Sequence, residues 1–115
     1  MQVKHVHYSA IEAKEPEEKG AKDTTIRWLI TKEDGARNFA MRMFEIKEGG
    51  YTPYHRHDWE HEVFVLEGKG ILVVEGVENE LNEGDVIFIP PNVPHQFKNP
   101  SKSNLRFLCL VPYKD

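Results

Sequence analysis

The chain has a single cysteine, Cys109, among 115 residues, so no intramolecular disulfide can form and a stapled secreted scaffold is excluded. It has no apolar run near the roughly 20 residues that cross a bilayer. Its opening residues, Met1-Gln2-Val3-Lys4-His5, lack the apolar core of a signal peptide, which predicts a cytoplasmic protein with no membrane partner. Positive charge is not in excess. Fifteen Lys and Arg against nineteen Asp and Glu leave a net charge of −4. Nucleic-acid affinity rests on cationic contacts to phosphate, so this balance argues against a nucleic-acid partner. Helical periodicity beyond two turns is missing, as is any repeat of fixed length. The length predicts one domain, residues 1–115, with an N-terminal arm and charged loop (1–23) ahead of a barrel (24–115).

What is present is β-pattern and punctuation. Thr24 to Ile30 and Phe39 to Ile46 are rich in β-branched and aromatic residues, which fit a pleated, half-buried surface. Further strands are predicted at His55–His57, His61–Leu66, Gly70–Val74, Val86–Ile89, His95–Phe97 and Asn104–Val111, with an edge strand at Val3–Tyr8. Glu67-Gly68, Glu75-Gly76, Glu83-Gly84, Pro90-Pro91-Asn92 and Asn99-Pro100 break them. Many short strands at regular spacing predict an all-β sandwich or barrel. Ile11 to Asp23, dominated by charge, reads as a solvated loop. Val63-Phe64-Val65-Leu66 and Phe107-Leu108-Cys109-Leu110-Val111 are apolar on both faces, whereas a solvated sheet alternates. Either the N-terminal segment or a second subunit must cover the outer face, and a homodimer is expected.

Three of the six histidines fall in Tyr54-His55-Arg56-His57-Asp58-Trp59-Glu60-His61. On a strand His55 and His57 share one face, and His61 keeps their parity if the strand direction resumes after Trp59. His95 follows two φ-fixing prolines and a turn at Asn92, which leaves its ring little freedom. Neutral imidazoles converging on one point suit Mn, Fe, Co, Ni, Cu or Zn. His5 and His7 form a second H-x-H with no third partner nearby and read as surface residues.

These histidines sit in a frame of Gly49, His55, His57 and Gly68, then Gly84, Pro90, Asn92, His95 and Asn99. The frame resembles the cupin superfamily, whose motifs read G-x5-H-x-H-x3,4-E-x6-G and G-x5-P-x-G-x2-H-x3-N. Asn92 replaces the second motif's third signature residue, glycine; Asn tolerates the left-handed conformation better than most residues. His61 stands where the ligand glutamate is usual. Glu62 fits a looser spacing but faces away from His57 by parity. The H-x-H-x-W-E-H-E segment is similar to that of small four-histidine, manganese-containing cupins of thermophiles.

The resemblance implies a double-stranded β-helix, or jelly-roll, barrel. It implies one divalent transition metal held by His55, His57, His61 and His95, with Mn or Fe first and Zn, Ni or Cu following. Four side chains on an octahedral ion leave two positions open for water, dioxygen or a chelating substrate. A metal-dependent oxidoreductase acting on a small molecule is the expected function. A Lewis-acid isomerase or lyase and a non-catalytic binding module are the alternatives; the lyase lacks a visible general base. Cys109 shares a strand face with Phe107 and Val111 and reads as inert core, unless that face lines the pocket.

Overall fold

Strand ends in this protein follow its turn chemistry. The computed structural model describes residues 3–113, and the strands are β1 (Lys22–Ile30), β2 (Phe39–Tyr51), β3 (His61–Glu67), β4 (Gly70–Val74), β5 (Val77–Leu81), β6 (Val86–Ile89), β7 (His95–Lys98) and β8 (Leu105–Pro112). Gly68 shows why the turn from β3 to β4 carries glycine. Its φ is +88°, and a Cβ there would collide with the backbone carbonyl of Asn104.

Every pairing is antiparallel, and the strand order is β5-β4-β7-β2-β8-β3-β6 with β1 on the flank of β2. β2 belongs to both halves. Residues 39–46 pair with β8 and residues 41–46 with β1, whereas Tyr51, past Gly49-Gly50, pairs with Lys98 of β7 as well as with Lys22 of β1. The sheet thereby curls on itself into the all-β barrel that the strand pattern predicted. No helix among the described residues is long and apolar enough to cross a membrane.

Period-2 alternation sorts the side chains. Ala40, Phe44 and Ile46 of β2, Val63 and Val65 of β3, and Leu105, Phe107, Cys109 and Val111 of β8 are buried. Phe107 stacks between Phe44 and Phe97 at ring-centre distances of 5.0 and 4.4 Å. This plug of aromatic and aliphatic groups supplies most of the hydrophobic stabilisation, about 1.5–3 kcal/mol for each large side chain fully buried.

Three expectations about local structure are corrected, and one strand is added. Val3 to His7 has no strand partner; the chain leaves it through a single 3-10 turn, Tyr8–Ala10, capped by the His7 side chain. The His55–His57 segment is not a strand, because only His55 bridges, to His95. Val77–Leu81 is a strand that polar Glu78, Asn79 and Glu80 conceal; its cross-strand partner β4 supplies the apolar face. The charged segment after Ile11 is not a free loop. Lys14 exchanges two backbone hydrogen bonds with Ile26, at 2.9 and 2.7 Å, and lays residues 14–18 across the mouth of the barrel. His5 and His7 are exposed.

The outer face is only half covered. The Tyr8 hydroxyl accepts a hydrogen bond from Arg106 at 3.0 Å, and the Arg27 guanidinium stacks over the Tyr8 ring. Beyond the arm lies an open apolar groove that includes Met41, Phe64, Val86, Phe88, Leu108 and Leu110, with Val86 76% and Phe88 57% exposed.

Candidate functional site

The open end of the barrel holds a cavity of about 650 Å³, and the four histidines singled out in the sequence all line it. Their positions come from backbone pairing between two distant segments. His55 and His95 exchange N–H to carbonyl hydrogen bonds at 3.1 and 2.9 Å, and the Asn92 N–H donates to the His57 carbonyl at 2.5 Å. Asn92 has a φ of +66°, the left-handed conformation expected of the residue that replaces glycine. His61 opens β3, paired with Ile89. The His57 ring stacks on Trp59 with centres 4.3 Å apart.

The imidazoles form a tight group. Ring centres are separated by 4.1 Å for His55 and His57, 4.9 Å for His55 and His95, 5.3 Å for His57 and His61, and 5.2 Å for His61 and His95. Three of the rings have partners at Nδ1. His95 Nδ1 lies 2.8 Å from the Val93 carbonyl, His55 Nδ1 lies 2.6 Å from Glu18, and His61 Nδ1 lies 3.4 Å from the Cys109 sulfur. The Val93 carbonyl and the Glu18 carboxylate only accept, so His95 and His55 carry their proton on Nδ1 and keep Nε2 as the lone-pair donor. Nε2 of His61 is buried with no hydrogen-bond partner, an orphan of the kind that costs stability unless a ligand meets it.

Burial favours the neutral form of three of the rings. It depresses the pKa of His61 to about 3, with help from the nearby Arg42 guanidinium, and that of His57 to about 4, with help from His55. His95 is lowered by the same desolvation, against the hydrogen bond that its ring donates to the Val93 carbonyl. Neutral imidazoles at pH 7 with lone pairs free are the protonation state that a transition metal requires, so the residues present fit such an ion.

Glu62 faces the outer groove, as its parity predicted, and is absent from the cavity wall. Cys109 does line the cavity, so its reading as inert core is too simple: its sulfur accepts from Arg42 Nη2 at 3.0 Å, and burial pushes its thiol pKa up. Two polar residues of the cavity wall were not singled out from the sequence as site residues. One is Arg42, which alternation along Phe39 to Ile46 places on the same face as Ala40, Phe44 and Ile46. The other is Glu18, one of several acids in an aperiodic segment. Donor atoms of Glu18, His55 and His57 all lie within 4.8 Å of one another.

The family model described as a cupin domain matches residues 42–111. The chain belongs to the cupin family. Among solved structures, this cupin is similar to the polyketide cyclase RemF from Streptomyces resistomycificus, 42% identical with a TM-score of 0.94, covering 98% of this chain and 81% of that one. A predicted oxalate decarboxylase from Thermotoga maritima, 23% identical, shares the fold with a TM-score of 0.84 over 96% of this chain and all of its own. Among curated proteins, 1-methylthio-D-xylulose 5-phosphate methylsulfurylase from Rhodospirillum rubrum is 35% identical over 71 residues, 62% of this chain and 46% of that protein. The chain spans about half the length of the first curated relatives that it matches.

Proposed function

We propose that this cupin is an enzyme that holds one divalent transition metal through His55, His57, His61 and His95 and acts on a small carbonyl compound. The observation that carries the reading is the unpartnered, buried Nε2 of His61, on a ring that burial, as at His57 and His95, holds towards its neutral form. Mn or Fe remains the first expectation, from the resemblance to four-histidine cupins of thermophiles. When bound, the metal supplies Lewis acidity, polarising a carbonyl oxygen and easing proton loss from the adjacent carbon.

Lewis-acid chemistry is favoured over oxygen chemistry because the base that the sequence left unassigned has a candidate. The Glu18 carboxylate lines the cavity and holds Nδ1 of His55 at 2.6 Å. It orients that ring, and it can take a proton from a substrate carbon brought to the cavity mouth. Trp28, Phe44 and Trp59 wall the space and exclude water. The 42% identity to a polyketide cyclase supports carbon–carbon bond formation between enolisable carbonyls as the reaction class.

The test is to load the protein with Mn, incubate it with a linear β-triketone in deuterated buffer, and follow α-carbon exchange by NMR beside an oxygen electrode. Metal-dependent exchange without oxygen uptake is expected, slowed about 100-fold or more in Glu18→Gln. Uptake of dioxygen in step with substrate loss would make the protein an oxidoreductase, which shares the ligand set. Neither activity, with metal bound, would leave a binding module.

The open outer groove fits a second copy of the chain, with Val86 and Phe88 at its centre. The protein is expected to elute and scatter light at twice its 13.4 kDa mass. Phe88→Glu is expected to halve that mass with the fold intact, and an unchanged mass would remove the groove from the interface.

A further inference from the structure

Arg42 is a cation where the fold needs none. It stands on the inward face of β2 between Ala40 and Phe44, opposite Cys109 of β8 and Trp28 of β1. Its Nη2 meets the Cys109 sulfur at 3.0 Å and His61 Nδ1 at 3.4 Å, and its Nε is buried with no partner. The guanidinium carbon lies 4.9 Å from the Phe44 ring centre and 5.4 Å from that of Trp28. A thiol, an imidazole and two aromatic faces supply no negative charge. Arg106, on the outer face, shows the contrast: it meets Glu45 at 2.6 Å, Glu67 at 3.3 Å and the Tyr8 hydroxyl at 3.0 Å. Among the described residues no ion pair includes Arg42.

A guanidinium drawn into a barrel with no counterion among the described residues is unfavourable until an anion meets it, and planar donors of this kind match carboxylate-like oxygens. We propose that Arg42 is the anion-recognition residue of the cavity, and that the ligand is a small planar anion, an aromatic carboxylate or enolate. Its charged oxygens meet the guanidinium while its ring lies among Trp28, Phe44 and Trp59, which share the cavity wall. The proposal deepens the reading of the cavity as the substrate site and rests on that reading, but it does not need the metal.

The experiment therefore uses chelator-treated, metal-free protein and reads tryptophan fluorescence during titration with salicylate and with its neutral analogue salicylamide at pH 7. Wild type is expected to bind salicylate about 10-fold or more tightly than salicylamide. Arg42→Met is expected to bring that ratio close to one while keeping salicylamide affinity, and Arg42→Lys to restore part of the preference. Equal affinities in wild type, or a preference that survives in Arg42→Met, would overturn the assignment. If Arg42→Met does not fold, the wild-type ratio and its partial loss in Arg42→Lys decide the matter. Failure of metal uptake would sink the metal-centre proposal and leave this result standing.

Discussion

His61→Ala is expected to abolish stoichiometric metal binding, lowering affinity by well over 100-fold. His61 is 5% exposed and fixed at the start of β3, and its Nε2 has no other partner to keep. Loss of groups that merely orient a ligand typically costs 10–100-fold in metal affinity, so loss of a ligand must cost more. Glu18→Gln supplies the comparison. Glu18 touches Nδ1 of His55, so the variant is expected to retain one metal per chain with affinity reduced about 10–100-fold. Elemental analysis and chelator competition measure both. The reverse pattern, with metal kept by His61→Ala and lost by Glu18→Gln, would move the ion to Glu18, His55 and His57, whose donor atoms already lie within 4.8 Å.

A second large effect concerns the metal-free protein in mild acid. In the unfolded chain a histidine takes up its proton near pH 6.5, whereas burial holds His57 near 4 and His61 near 3 in the fold. Between those limits the unfolded chain binds more protons, so stability falls as pH falls, starting below about 6.5 and continuing until the folded pKa values are passed. One pKa unit is worth about 1.4 kcal/mol, which gives a combined loss on the order of 2–4 kcal/mol at pH 5 once solvent screening of His57 is allowed for. The guanidinium chloride midpoint is expected to drop by roughly 0.5–1 M between pH 7 and pH 5. His61→Gln is expected to shrink the drop. A midpoint unchanged over that range would mean that the imidazoles protonate freely and are not enclosed.

The barrel was legible because its information is local and periodic. Glycines, prolines and β-branched runs mark most strands, and parity separated His61, inside, from Glu62, outside. The His55–His57 segment misled because its two inward rings come from pairing at a single residue, and a bridge to His95 leaves no trace in a ten-residue window. Val77–Leu81 was hidden because its three central residues are polar and exposed and only Leu81 reaches the core. Glu18 was out of reach for a different reason: one acid in a charged, aperiodic segment gains meaning only when Lys14 pins that segment to Ile26. Arg42 was within reach, since alternation alone puts it in the interior, where a charge calls for an explanation.

The strand order also governs how copies of this protein can grow. A sheet terminates in rows of unpaired amides and carbonyls, and such margins recruit other chains unless charge or cover discourages them. The β5 margin carries Glu78 and Glu80, which repel a second β5, and the β1 margin is partly occupied by Lys14. The β6 margin, Val86-Ile87-Phe88-Ile89, is apolar and only four residues long. Two copies that join through β6 use up the apolar margin of each, and what remains outward is acidic at β5 and bridged by Lys14 at the middle of β1. Joining by that route would be isologous, each copy giving the same margin to the other, so a pair closes on itself and does not extend into a filament through β6.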